Sequence, residues 1–91
     1  MPPLKVSTVY SPGCPWCEKQ LRDIDRLRGR HSDVQFERIN IKEHPEIKVD
    51  GFPITDISCG GVKIARVDGY HNEQEVDQAL LMAKRRCSYR K

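Results

Sequence analysis

The sequence predicts an α/β fold in which helices flank both faces of a mixed four-stranded sheet, in the order β-α-β-α-β-β-α. Two changes of hydrophobic period, near residues 15 and 72, separate strand-like runs from helical ones. A helical crossover joins the first two strands, which are therefore expected to be parallel. A tight Gly-Gly turn joins the last two, which are expected to be antiparallel. At 91 residues the chain accommodates one small domain.

The first two predicted elements are a strand over residues 4–10 and a helix over residues 15–29. Apolar β-formers fill the strand, and the turn-forming Ser11-Pro12-Gly13 ends it. Gly29 is expected to end the helix. The apolar residues of the helix recur on one face and are Cys17, Leu21, Ile24 and Leu27.

The second strand is predicted over residues 34–41, although its apolar residues do not keep one phase. Val34 and Phe36 alternate, but the two later isoleucines continue in the opposite phase. Either a bulge or burial on both faces would produce this pattern, and the sequence does not choose between them. A short helical segment, with Pro45 near its start, is expected within residues 42–50.

The second half of the chain predicts a hairpin followed by a helix. Strands over residues 54–58 and 62–67 flank Gly60-Gly61. Asn72 is the expected N-cap of the last helix, with Glu75 as its capping-box partner. The buried face of this helix is predicted to contain Val76, Ala79, Leu80 and Ala83.

The charge is unevenly distributed along the chain. Residues 1–83 hold 11 Lys and Arg against 13 Asp and Glu, whereas residues 84–91 hold five basic residues and no acid. We therefore expect a single domain over residues 1–83 and a basic C-terminal tail over residues 84–91. A tail this short is more typical of a solubilising end than of a nucleic-acid arm, so no nucleic-acid partner is expected.

The sequence also bounds the cellular setting. Its apolar runs are far shorter than a membrane span, and the residues after Met1 lack the charged and apolar regions of a signal peptide. We expect a cytoplasmic, monomeric protein with no membrane partner. In a reducing compartment a Cys-x-x-Cys pair is more often catalytic or metal-binding than structural.

The main chemical motif is Cys14-Pro15-Trp16-Cys17, at the junction of the first strand and the first helix. Such a pair in a βαβ setting is typical of a redox dithiol. The helix N-terminus favours negative charge, which should lower the pKa of the Cys14 thiol and raise its nucleophilic thiolate fraction. Cys17, one turn later, can reach the same sulfur as the resolving thiol. Pro15 suits the first helical position, and Trp16 is expected to offer a flat contact surface to a partner.

With this motif and strand order, the sequence resembles the glutaredoxins of the thioredoxin superfamily over about residues 4–83. The run from Val9 to Cys17 is similar to the family's signature, with tryptophan in place of the usual tyrosine. The resemblance implies the thioredoxin fold, with Cys14 as the nucleophile and Cys17 as the resolving thiol. It also implies that Pro53 is a cis-proline facing the two cysteines. The backbone of Phe52 would then be open to pair with a substrate strand.

The resemblance implies an oxidoreductase that reduces protein or glutathione mixed disulfides, without a bound cofactor. Glutathione would be the reductant, and ribonucleotide reductase would be one possible electron acceptor. Glutaredoxins usually carry Gly-Gly at the turn into the last helix, where it helps hold glutathione. Here Gly60-Gly61 lies inside the hairpin, and the spacing from Pro53 to Gly69 is more similar to thioredoxin. The alternative is therefore a thioredoxin-like protein reduced by a flavin thioredoxin reductase.

Three further interpretations belong to other functional classes. A zinc site would need two more ligands, and Cys59, His71 and Cys87 are scattered singly, so no metal site is predicted. An iron–sulfur or metal carrier and a binding module that uses the Trp16–Phe52 surface stay open as alternatives.

Four residues outside the motif also carry predictions. Cys59 is expected to be an incidental small side chain, Cys87 an exposed thiol in the tail, and His71 a solvated loop residue. Lys19 either favours the thiolate at Cys14 or pairs with Asp23.

Overall fold

The strands and helices follow the predicted order with one exception, the second helix. The computed structural model describes residues 3–88. Its elements are β1 (Leu4–Tyr10), α1 (Pro15–Arg30), β2 (Val34–Asn40), a single 3-10 turn (Ile41–Glu43), β3 (Ile54–Cys59), β4 (Val62–Asp68) and α2 (Glu73–Ser88).

The four strands form one mixed sheet in the order β2-β1-β3-β4. β1 pairs with β2 in parallel and with β3 antiparallel, and β3 forms an antiparallel hairpin with β4. The predicted mixed sheet is confirmed. The crossover through α1 and the Gly60-Gly61 turn, where both glycines have positive φ, produce its two kinds of pairing.

Both α helices lie on one face of the sheet, which corrects the predicted placement on both faces. A single core cluster contains side chains from β1, α1, β3 and α2, among them Leu4, Leu27, Ile57 and Leu80. The helix expected within residues 42–50 would have covered the other face. Only the 3-10 turn forms there, and it ends before Pro45.

The face without helices carries a polar rung in place of a second core. Glu37, Ser7, Asp56 and Arg66 lie in register across β2, β1, β3 and β4. Ser7 donates to Glu37 at 2.7 Å, and Arg66 donates to Asp56 at 2.8 Å. Lys63 also approaches Asp56, at 3.0 Å. The paired polar groups allow this face to do without a covering helix, and the loop residues Ile47 and Val49 line one pocket together with Ser7 and Asp56.

The position of β2 at the edge of the sheet explains why its apolar residues do not alternate regularly. Its register with β1 is unbroken from Leu4 opposite Val34 to Tyr10 opposite Asn40, so neither a bulge nor burial on both faces is present there. Only Val34 of this strand is buried. The register shift of the sheet lies instead in the hairpin, between Ile57 and Ser58.

The helix ends differ from prediction in small ways. α1 continues through Gly29 to Arg30, and His31 is its C-cap. The capping box of α2 is confirmed, because Glu75 N–H donates to Asn72 Oδ1 at 2.9 Å and Asn72 N–H donates to Glu75 Oε1 at 3.0 Å. Neither helix within residues 3–88 has the length and apolar character needed to cross a bilayer.

The C-terminal helix overturns two predictions about cysteines. α2 continues to Ser88, so residues 84–88 of the predicted tail are helical, and residues 89–91 lie outside the described part of the chain. Cys87 is fully buried and forms a disulfide with Cys59, with the two Cα atoms 5.6 Å apart. The predictions of an exposed Cys87 and an incidental Cys59 were wrong. The buried stripe of α2 repeats at helical spacing through the predicted boundary and takes in Cys87.

Candidate active site

The Cys14–Cys17 pair lies between the end of β1 and the first turn of α1. Cys14 is the N-cap of the helix, with extended backbone at φ −92° and ψ 110°, and Pro15 occupies the first helical position. Gly13 has φ +80°, and Cys14 N–H donates to the Ser11 carbonyl at 3.2 Å, which closes the preceding turn. The turn at Gly13 and the N-cap at Cys14 together direct the chain from the strand into the helix, as the sequence predicts.

The two cysteines differ in exposure. They form a disulfide with Cα atoms 5.2 Å apart. Cys14 is partly exposed, whereas Cys17 is 1% exposed. The backbone N–H of Cys17 also donates to the Cys14 sulfur at 3.2 Å. Of the two cysteines, only Cys14 is therefore open to solvent, and a backbone donor of the first helical turn points at its sulfur.

The segment around Pro53 reaches the same end of the sheet. The Phe52–Pro53 peptide bond is cis, as the family resemblance implied. Val9 pairs with Ile54, and Ile54 pairs with Asp68, so the residues after β1, before β3 and after β4 converge there. The Pro53 carbonyl accepts the Gly69 N–H at 2.8 Å, which ties the last two of these segments together. A groove of about 420 Å³ separates Phe52 from Gly69.

A turn over residues 68–72 is fastened to α1 by buried polar side chains. Gln20, which is 0% exposed, donates to the His71 carbonyl at 3.0 Å and accepts the His71 N–H at 2.9 Å. The Tyr70 hydroxyl donates to Asp23 at 2.6 Å, and Arg26 also hydrogen-bonds Asp23. The hydrogen bond from the Tyr70 hydroxyl to the Asp23 carboxylate raises the pKa of Tyr70, so the hydroxyl stays protonated.

The 68–72 turn places the ring of Tyr70 beside Trp16, which lies between the two cysteines of the Cys14–Cys17 motif. The Trp16 and Tyr70 ring centroids are 5.3 Å apart and tilted by 35°. Lys19 Nζ lies 5.5 Å from the Trp16 centroid and 5.0 Å from that of Tyr70, within cation–π range of both. Trp16 remains 57% exposed. We call Trp16, Lys19 and Tyr70 the aromatic surface.

Three solved structures share this architecture. The thioredoxin from Fasciola hepatica matches with a TM-score of 0.80 and 18% sequence identity, over 88% of this chain and 80% of that one. The thioredoxin from Nicotiana alata matches with a TM-score of 0.82 and 21% identity, over 90% of this chain and 74% of that one. A thioredoxin from the malaria parasite matches with a TM-score of 0.82 and 13% identity, over 89% of this chain and 84% of that one. The parasite protein is thioredoxin-2, a component of that organism's protein secretion machinery. The chain has the thioredoxin fold. No protein-family model and no curated protein sequence matches it.

Within this thioredoxin fold, the polar residues that hold the 68–72 turn escaped sequence analysis. Gln20, Asp23 and Tyr70 were not predicted as part of the site. A signal was available for the first two, because they interrupt the apolar face of α1, where an unpartnered polar side chain would be costly. Their partners on the turn are 47 and 51 residues away in sequence, and no local pattern identifies them.

The remaining predicted residues have mixed outcomes. Lys19 does not pair with Asp23, whose partners are Arg26 and Tyr70, so that alternative was wrong. His71 belongs to the clamped turn, and its Nε2 lies 3.1 Å from the Asp68 carbonyl oxygen. Across the part of the chain that the structure describes, His, Cys, Asp and Glu side chains do not gather in threes around a possible metal position.

Proposed function

We propose that this chain is a thiol–disulfide oxidoreductase that reduces protein disulfides through Cys14 and Cys17, in the manner of a glutaredoxin. The proposal rests chiefly on the unequal exposure of the two cysteines, since Cys14 is partly exposed and Cys17 is 1% exposed. An accessible sulfur at a helix N-terminus suits attack on a partner. A buried sulfur within bonding distance suits the resolving step.

The reaction proceeds by two thiol–disulfide exchanges. The Cys14 thiolate attacks one sulfur of a substrate disulfide, forms a mixed disulfide and releases the other substrate sulfur as a thiolate. Cys17 then loses its proton and attacks the Cys14 sulfur. This step forms the Cys14–Cys17 disulfide and releases the second substrate sulfur. The substrate gains two electrons and two protons, and the cysteine pair has lost the same number.

Two features at this end of the sheet suit the binding of a protein substrate. The aromatic surface presents the exposed ring of Trp16, and flat aromatic side chains supply much of the binding energy where proteins meet. The second feature is the groove beside Phe52, which lies at the same end of the sheet as the Cys14 end of β1. We propose that a substrate strand enters there and pairs with the backbone before Pro53, which demands little of the substrate sequence.

We propose glutathione as the electron donor, on the resemblance of the Cys14–Cys17 motif to glutaredoxins. One observation favours a second donor, a flavin thioredoxin reductase. Glutaredoxins usually hold glutathione with glycines at the turn into the last helix, and here Tyr70 and His71 occupy that turn and are bound to α1. The two donors are therefore the alternatives that an experiment must separate.

The test follows reduction of the oxidised protein by the fluorescence of Trp16, the single tryptophan of the chain. One reaction contains glutathione, glutathione reductase and NADPH, and the other contains thioredoxin reductase and NADPH. Fast reduction by glutathione, followed by transfer to a protein disulfide, is the expected result. Reduction by the second system alone would replace glutathione as the donor. Reduction by neither system would contradict the oxidoreductase function, and Cys14→Ser is the inactive control.

A further inference from the structure

We propose that Cys59–Cys87 is a structural disulfide that forms once during folding and stays oxidised while Cys14–Cys17 is reduced and reoxidised. The chain would then carry two disulfides of opposite character, one exchangeable and one inert. This inference goes beyond the proposed function, because the inertness of Cys59–Cys87 does not depend on what Cys14 reduces.

The register of the sheet places the two disulfides at opposite ends of the domain. Cys59, the last residue of β3, pairs with Leu4 at the start of β1. Cys14 follows the other end of β1, a strand of seven residues. At about 3.3 Å per residue, that strand separates the two sites by roughly 20 Å. The Cys14 thiolate therefore cannot attack Cys59–Cys87 within the same molecule.

Burial protects the second disulfide from thiols in solution. Cys59 is 3% exposed and Cys87 is 0% exposed. Both belong to the core cluster that includes Leu80 and Ala83 of α2. Exchange requires a thiolate to reach one of the sulfurs, and a charged thiolate is strongly disfavoured in an apolar core. Reduction of this bond therefore requires the last turns of α2 to open.

The position of the bond suits a structural role. It joins residues 28 apart and encloses β4 and α2 almost completely. It ties the last turn of α2 to the end of β3 in a chain of 91 residues, where the core is small. Closing a loop of this size restricts the unfolded chain and typically raises the ratio of folded to unfolded protein by about 100-fold or more.

Formation of the bond requires an oxidant. The Cys59 and Cys87 thiols together lose two protons and two electrons, and a small-molecule or protein disulfide accepts them and becomes two thiols. This assigns the folding of the chain to conditions in which such a disulfide is available. Such conditions differ from the reducing compartment that the Cys14–Cys17 motif predicts.

Differential alkylation of the full chain tests the proposal. Native oxidised protein is treated with reduced glutathione or dithiothreitol, free thiols are alkylated over time, and labelled peptides are mapped by mass spectrometry. Cys14 and Cys17 are expected to be labelled at least 100-fold faster than Cys59 and Cys87, which are labelled at comparable rates only in denaturant. Equal labelling rates in the native protein, or labelling of Cys59 and Cys87 without reductant, would overturn the proposal.

A variant provides an independent readout. In Cys59→Ala/Cys87→Ala, reduction of Cys14–Cys17 is expected to proceed at the wild-type rate, while the unfolded-to-folded ratio rises by about 100-fold. Unchanged stability would contradict the structural role. If the protein reduces no substrate but Cys59 and Cys87 still resist alkylation, the proposed function is wrong and the proposal of an inert disulfide stands.

Discussion

At the scale of single residues, the site separates its tasks between neighbouring side chains. Cys14 is accessible and receives a backbone hydrogen-bond donor, and Cys17 is enclosed behind it. Trp16 faces outward, and Tyr70 supports it through a hydroxyl held by Asp23. Under the proposed function, these contacts would divide attack, resolution and contact with the partner among different residues, and each role can be tested separately.

The reactivity of Cys14 gives the first prediction. In reduced Cys17→Ser, the rate of alkylation at Cys14 should rise with pH around a midpoint below about 8.5, the ordinary pKa of a cysteine thiol. The physical reason is the helix N-terminus, whose N–H groups and dipole favour the thiolate. The rate is measured with a small neutral alkylating agent across pH. A midpoint at or above the ordinary value would contradict thiolate stabilisation at this position.

The second prediction separates the ring of Tyr70 from its hydroxyl. Tyr70→Phe removes the hydrogen bond to the largely buried Asp23 and should lower the free energy of unfolding. It keeps the ring beside Trp16, so KM for a protein disulfide should change less than twofold. Tyr70→Ala also removes the ring, and KM should rise several-fold. Equal KM values for the two variants would show that the ring does not support the substrate surface.

At the scale of elements, polar rather than apolar contacts determine where the parts of the site lie. Gln20 and Asp23 of α1 hold the 68–72 turn, and the capping box of Asn72 and Glu75 starts α2 directly after it. The turn is thus fixed at both ends. On the opposite face of the sheet, the polar rung joins all four strands without a covering helix.

The polar rung makes stability depend on pH. Burial of Asp56 raises its pKa, but hydrogen bonds from Arg66 and Lys63 outweigh that effect and leave the pKa below its ordinary value. A carboxyl group whose pKa is lower in the folded chain stabilises the fold above its unfolded pKa of about 3.9. That stabilisation is lost as pH falls through the folded pKa.

Asp56→Asn tests this third prediction. The variant should be less stable than wild type by about 1–2 kcal/mol at pH 7, because Arg66 and Lys63 lose a charged partner. It should also lose less stability than wild type on acidification below about pH 4. Urea unfolding at a series of pH values measures both effects, with the exposed Asp50→Asn as the matched control. Parallel acid profiles for wild type and Asp56→Asn would contradict the assignment.

At the scale of the whole molecule, local patterns predicted the elements well and their packing less well. The strands and α1 are within about two residues of their predicted ends, since alternation, helical spacing and the Pro15 and Asn72 signals act over a few residues. The position of both helices on one face was not predicted. It depends on residues 42–50 failing to form a helix and on the pairing of charges across strands.

The Cys14–Cys17 pairing was predictable because both cysteines lie within four consecutive residues that follow a strand. The supporting side chains of the 68–72 turn were not, because their contacts span about half of the chain. The disulfide of Cys87 could be predicted only in part. Its place on the buried face of α2 follows from helical spacing, whereas its pairing with Cys59 depends on tertiary structure.

The central claim is that the exposed sulfur of Cys14 attacks a partner disulfide and that Cys17 resolves the product. The most direct measurement traps the intermediate in Cys17→Ser, mixed with a disulfide-bonded protein and analysed by intact mass and peptide mapping. We expect a stable one-to-one mixed disulfide on Cys14, which wild-type protein does not accumulate and Cys14→Ser does not form. The absence of an adduct, or an adduct at Cys59 or Cys87, would contradict the account.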